Sequence, residues 1–214
     1  MTTDPETTAS ASETTTDDAA SADGPLVVAV AGSLRAESYT RLGLEHALRG
    51  VEAAGGRTRL LDLREYDLPP LNADREEQGD SAAFTAAVRE ADSVLLGTPV
   101  YHGSFSGVLK NALDYCGFDE FEHTTVGLLS VSGGAFPVTA LEHLRSVCRA
   151  LNAWVLPHQA AIPRPSQAFE GDELTDDGLT ERVEVLGRRA VEYASIAPDP
   201  GTFEGGQNVG ARED

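Results

Sequence analysis

Short, nearly continuous apolar runs alternate with segments of helical period along residues 25–195. This alternation constrains the fold more than any other feature of the chain. "PLVVAVAG" (25–32), "DSVLLGTPV" (92–100) and "TTVGLLSVSGG" (124–134) lack the polar alternation of a half-exposed strand. They read as strands buried on both faces. "RTRLLDL" (57–63) and "AWVLPHQAAI" (153–162) read as two further strands, the last broken by Pro157. Between them lie helical patterns. Leu44, Ala47, Leu48 and Val51 recur at helical spacing until Gly55-Gly56 stops them. "SAAFTAAVREA" (81–91) starts at Ser81, a candidate cap. "SFSGVLKNALDYCG" (104–117), "VTALEHLRSVCRAL" (138–151) and "LTERVEVLGRRAVEYAS" (179–195) complete the set, and 64–80 is a long polar loop.

The order βαβαβαβαβα means a parallel sheet wrapped by helices on both faces. Five strands match the three-layer flavodoxin-like arrangement, strand order 2-1-3-4-5, better than a six-stranded dinucleotide-binding sheet. A helical bundle or an all-β fold fails on the three buried runs. One domain is expected over 25–197. Residues 1–24 are Thr, Ser, Ala and acid with no basic residue, which predicts a disordered acidic tail. Residues 198–214 are rich in Gly, Pro and polar residues and read as a flexible tail. No basic segment precedes an apolar one at the start, and no run reaches the length of a membrane span. A soluble, cytoplasmic protein is expected.

The net charge is −19. Residues 1–24 contribute −6 and 198–214 contribute −3, which leaves −10 spread over the middle. A diffuse acidic excess points to a surface adapted for solubility, as in salt-loving (halophilic) organisms, rather than to one basic partner. Nucleic-acid binding is excluded for want of a basic stripe. Cys116 and Cys148 fall on the apolar sides of helical patterns and read as free core thiols. No ligand-spaced His/Cys set indicates a metal site.

In a sheet of this order a ligand lies outside the carboxyl ends of strands 1, 3 and 4. All three following loops are unusual. "AGSLRAESYT" (31–40) sets Ser33, Arg35, Ser38 and Thr40 at a helix start. Hydroxyls, a guanidinium fork and free helix N–H groups suit a single terminal phosphate, although a plain capped turn has the same composition. In "TPVYHGSFSGVLKNALDY" (98–115), Pro99 stiffens the loop and Tyr101 offers an aromatic surface. Gly103 and Gly107 let backbone approach a flat ring, and His102 is placed to line it or to face solvent. In "SVSGGAFP" (130–137), Ser132, Gly133 and Gly134 leave a strand end free of bulk, as a plain strand-to-helix turn also would.

Together these three motifs resemble the NAD(P)H-dependent FMN reductase family of flavodoxin-like proteins, over about 25–195. The resemblance implies that Ser33, Arg35, Ser38 and Thr40 hold the FMN phosphate. It implies that Pro99, Val100, Tyr101, His102 and Gly103 line the isoalloxazine, and that Ser132, Gly133 and Gly134 close its other edge. Three positions depart from the family's usual residues. Thr40 replaces a frequent Asn, Val100 a frequent Glu and His102 a frequent Asn. Lys110, Asn111 and Asp114 match the family's L-K-N-x-x-D segment and read as structural.

The implied activity is hydride transfer from NAD(P)H to FMN, then reduction of a small acceptor such as free flavin, a quinone, an azo dye or a metal oxyanion. The cofactor carries that chemistry, so no catalytic side chain is assigned. A non-enzymatic flavodoxin-type electron carrier and a flavin-free binding domain are the alternatives. The segment 105–116 carries Phe105, Val108, Leu109, Ala112, Leu113 and Cys116, more apolar arc than one sheet face covers. In the family this helix lies near the subunit contact, so a homodimer or homotetramer is expected.

Overall fold

The computed structural model describes residues 24–76 and 78–196. Both sequence-predicted tails lie outside them, except Gly24, whose carbonyl accepts from Arg57 Nε at 3.0 Å. The chain runs β1 (Leu26–Ala31), α1 (Tyr39–Ala53), β2 (Arg57–Asp62), α2 (Ser81–Arg89), β3 (Ser93–Pro99), α3 (Gly107–Asp114) and α4 (Phe118–Phe121). It continues through β4 (Thr125–Ser132), α5 (Val138–Ala150), β5 (Trp154–Pro163), α6 (Pro165–Ala168), β6 (Phe169–Glu170), β7 (Glu173–Leu174) and α7 (Asp177–Glu192). The five main strands form one parallel sheet in the order β2-β1-β3-β4-β5, the order expected from the sequence.

Continuous apolar strands arise because both sheet faces are covered. Val28 and Val30 of β1 pack with Phe84, Leu109 and Leu144 from α2, α3 and α5. Val27 and Ala29 point the other way, into a core shared with Leu44 of α1 and Leu186 of α7. Helices α1 and α7 cross closely at two glycines. A Cβ on Gly50 would fall 2.1 Å from the Glu184 carbonyl oxygen, and one on Gly187 would fall 1.8 Å from that of Ala47. Only glycine permits this spacing.

Four details differ from the sequence reading. Asp80, not Ser81, precedes α2, and it makes no side-chain cap because its carboxylate accepts the Asp67 N–H at 2.8 Å. Strand β5 is not broken at Pro157. The register steps from Val126↔Val155 to Leu128↔Gln159, so the edge strand absorbs the proline in a bulge. Helix α3 starts at Gly107, so Phe105 precedes it. Leu109, Ala112, Leu113 and Cys116 are buried within the same chain, which leaves little of the surplus apolar arc. The hairpin β6–β7 gave no periodic signal, because each strand has only two residues.

Both cysteines are buried and free, and burial pushes each thiol up to about 12. No helix among the described residues is long and apolar enough to cross a membrane.

Candidate functional site

The loop after β1 is held at its start by the Gly32 N–H, which donates to the Gly97 carbonyl at 2.9 Å. It ends at Ser38, the residue before α1, whose extended backbone lets its Oγ accept the Arg41 N–H at 3.2 Å. Ser33, Ser38 and Thr40 are all buried although polar. Ser33 Oγ accepts the Arg35 N–H at 3.4 Å. The N–H groups of Ala36 through Thr40 donate to no protein acceptor among the described residues. Arg35 stands exposed on the rim, close in sequence to the exposed Glu37.

Behind this loop sits a pair that motif reading missed. Asp62, the last residue of β2, pairs with Ala31 in the sheet and is buried. Arg64 Nε lies 2.9 Å from both Asp62 carboxylate oxygens, while Nη1 donates to the Ala36 carbonyl at 3.2 Å and the Arg35 carbonyl at 3.5 Å. Burial alone would raise the Asp62 carboxyl; the Arg64 hydrogen bonds and charge outweigh it and hold the group below its ordinary range.

The loop after β3 begins with Pro99 and Val100, whose N–H donates to the Val131 carbonyl at 2.8 Å. Tyr101 and Ser104 then exchange backbone hydrogen bonds at 2.9 and 3.1 Å. The two residues between them, His102 and Gly103, have φ of 51° and 82°. This is a tight turn with both central residues left-handed, where Asn, Asp, His and Gly are the tolerated types. That requirement accounts for His102 at a position where the family often has Asn. Farther along, the Asn111 side chain donates to the Leu68 and Pro69 carbonyls, each at 3.0 Å, and accepts the Leu71 N–H at 3.0 Å. Tyr115 Oη adds a bond to the Pro69 carbonyl at 2.6 Å. Asn111 thus fastens the long loop to α3, and Lys110 pairs with Asp114 on the same helix.

The loop after β4 is shaped from within. Ser132 Oγ accepts the Gly134 N–H at 3.2 Å, and the Ser132 carbonyl accepts the Arg164 N–H at 2.8 Å. Arg164 is left-handed, with φ of 45°, and turns the chain into α6.

These loops enclose a cleft of about 410 Å³ at the carboxyl ends of the strands. Of the residues expected there, Ser33, Arg35, Ser38, Thr40, Pro99, Val100, Tyr101 and Gly133 line it. His102, Gly103, Ser132 and Gly134 do not. The first two form the exposed tip of the turn, and Ser132 supports the loop that carries Gly133. Glu37, Tyr39, Val131, Pro165 and Ser166 also line the cleft without having been singled out. The "PRPS" run at 163–166 was the available signal for the last two.

The residues present fit FMN. One end of the cleft gathers buried hydroxyls, unpaired N–H groups and the positive end of a fifteen-residue helix, the donor set of a phosphate. Toward the other end, a Cβ built on Gly133 would meet nothing within 4 Å, so backbone there borders open space.

Comparison with known proteins agrees with this geometry. The family model described as NADPH-dependent FMN reductase matches residues 25–167. An FMN-dependent NADPH-azoreductase of Staphylococcus aureus is 49% identical over 181 residues, covering 79% of this chain and 95% of that protein. The enzyme of the same description from Staphylococcus haemolyticus is 32% identical over 183 residues, with 79% and 95% covered. Among solved structures, a flavoenzyme NAD(P)H:(acceptor) oxidoreductase from Paracoccus denitrificans aligns with a TM-score of 0.67 at 20% identity, covering 79% of this chain and 97% of that one. An archaeal flavodoxin aligns at 0.56 with 12% identity, covering 79% and 97%. Those two likenesses speak for the flavodoxin-like fold. The family match and the staphylococcal relatives go further: this chain belongs to the NADPH-dependent FMN reductase family and is an FMN-dependent oxidoreductase that uses NADPH.

Proposed function

We propose that this chain is an azoreductase-type enzyme, which passes electrons from NADPH through FMN to planar aromatic acceptors, azo compounds foremost. The observation that carries the reading is the two-ended cleft, with its donor-rich loop after β1 and its open aromatic side at Tyr101. Bound FMN supplies the hydride and electron chemistry. The protein's part is to hold and orient it. Ser33, Ser38, Thr40 and Arg35 face the phosphate, and Pro99, Val100, Tyr101 and Gly133 border the ring. Gly103, Ser132 and Gly134 set loop shape from outside the cleft, as His102 does. Tyr101, 51% exposed, and Phe136, 83% exposed on the next loop, support an acceptor with an aromatic face. The naming of the staphylococcal relatives as azoreductases supports the azo class.

Three further features belong to the same reading. The two free, buried cysteines support a cytoplasmic setting. The diffuse net charge of −19 supports adaptation to high salt. The family's use of the α3 region for subunit contact supports a homodimer or a dimer of dimers.

Purified protein should be yellow, carry one FMN per chain, oxidise NADPH and decolourise an azo dye without oxygen. Yellow protein that oxidises no NADPH would indicate an electron carrier. Turnover with quinones but no azo dye would overturn the acceptor class.

A further inference from the structure

We propose that Arg64, anchored on Asp62, is the positioning residue of the phosphate cradle: it holds the carbonyls of Arg35 and Ala36 away from the cleft so that the next N–H groups face the ligand. The inference rests on the reading that the loop after β1 receives the FMN phosphate.

In a trans peptide the C=O and the following N–H point in opposite directions. A donor that captures the carbonyls of residues 35 and 36 therefore aims the N–H groups of Ala36 and Glu37 to the other side. Arg64 Nη1 is that donor, at 3.5 and 3.2 Å. Neither N–H has an acceptor among the described residues, so both remain available. Left loose, these two peptides could rotate and present carbonyl oxygens to an anion.

The anchor is rigid. Asp62 is fixed by its sheet pairing with Ala31, at the strand end where the loop begins, and is 5% exposed. It takes the Arg64 backbone N–H at 3.0 Å as well as Nε at 2.9 Å. With Nε committed to the carboxylate, the planar fork directs Nη1 at the loop. A lysine has one nitrogen and no such fork, so it cannot hold both sides. The Asp62–Arg64 pair is formally neutral. Its contribution is orientation rather than added positive charge, which distinguishes it from Arg35 on the rim.

The test compares FMN with riboflavin, which carries the same ring without the phosphate. The readout is the ratio of their dissociation constants, riboflavin over FMN, measured by flavin fluorescence on apoprotein. Arg64→Lys keeps the charge and loses the fork. Asp62→Asn keeps Arg64 and loosens its anchor. Each variant should lower the ratio by about ten-fold, the scale of one hydrogen bond to a charged group, while riboflavin affinity holds. Circular dichroism establishes that each is folded, and either folded variant suffices. A ratio unchanged in the folded variants would overturn the proposal, and so would an equal loss for both flavins, which marks a purely structural pair. A wild-type protein that binds FMN no better than riboflavin would instead overturn the phosphate assignment itself.

Discussion

Ser106 donates its hydroxyl to the Gly32 carbonyl at 2.7 Å while the same oxygen accepts the Leu109 N–H at 3.1 Å. The residue therefore caps α3 and ties the start of the β1 loop to the β3 loop. Its own N–H donates to Thr98 Oγ1 at 2.9 Å. One buried hydroxyl thus fixes the spacing of two of the loops that form the cleft.

Ser106→Ala should lower stability by about 2–4 kcal/mol, combining a lost helix cap with an unsatisfied buried carbonyl. Urea denaturation measures this as a lower midpoint with unchanged slope. FMN affinity should fall with it, because the two loops are no longer held together. A variant within experimental error of wild type in stability would show that water or a neighbouring group replaces the hydroxyl.

Arg35→Ala should weaken FMN by about 1.5–3 kcal/mol, as expected for a hydrogen bond to a charged group, and leave riboflavin unaffected. Titration of apoprotein with each flavin decides the point. Equal weakening of both would place Arg35 against the ring instead of the phosphate.

His102 occupies a left-handed position outside the cleft. His102→Asn should preserve the melting temperature, FMN affinity and turnover. His102→Val should lower the melting temperature, because a β-branched side chain crowds that backbone region more than histidine does. A His102→Asn variant with normal stability but greatly reduced turnover would restore the residue to the site.

Cys116 and Cys148 are buried, and burial pushes both thiols up to about 12 from an ordinary value of 9.0. The unfolded chain releases these protons first as pH rises, so the folded state binds more of them between 9.0 and about 12. Stability is then fully present below the ordinary thiol range and falls as pH climbs through that window. Replacing both cysteines with alanine should flatten this alkaline loss. Native protein should also resist thiol reagents at mildly alkaline pH until it is unfolded. Rapid labelling of the folded form would contradict the burial argument.

Salt should stabilise the folded subunit and strengthen its association. The Debye length shrinks from about 10 Å at 0.1 M salt to about 3 Å at 1 M, and the repulsion of a chain with net charge −19 shrinks with it. Melting curves and light scattering across a salt series measure both effects. A monomer at every salt concentration would refute the oligomer, and a dimer that loosens as salt rises would refute the electrostatic argument.

The sheet order was legible because the runs at 25–32, 92–100 and 124–134 are apolar for a single reason, burial on both faces. The cleft was legible where residue type and backbone role coincide, as at Ser38, a buried cap and a candidate ligand together. It was less legible where a residue acts through geometry. His102 reads in sequence as either a ring contact or a solvent-facing residue, and only its φ of 51° identifies it as a turn former. Arg64 reads as an ordinary surface charge. Only the sheet pairing of Asp62 with Ala31 brings its anchor beside the loop. Pro165 and Ser166 were missed because they reach the cleft from the far end of β5, by way of the left-handed Arg164.

The bulge at Pro157 has a consequence for how molecules meet when salt is concentrated. Strand β5 is an outer edge of the sheet, where unpaired backbone invites another chain to add itself. In dilute solution, mutual repulsion of acidic surfaces keeps such edges apart, and concentrated salt abolishes that protection. The other edge, β2, carries Arg57 and Arg59, which salt screens as well. Pro157 lacks the N–H a docking strand would need, and the register step beside it bends the edge out of line. This barrier to open-ended strand stacking is steric and topological, so it persists at ionic strengths where charge no longer keeps molecules separate.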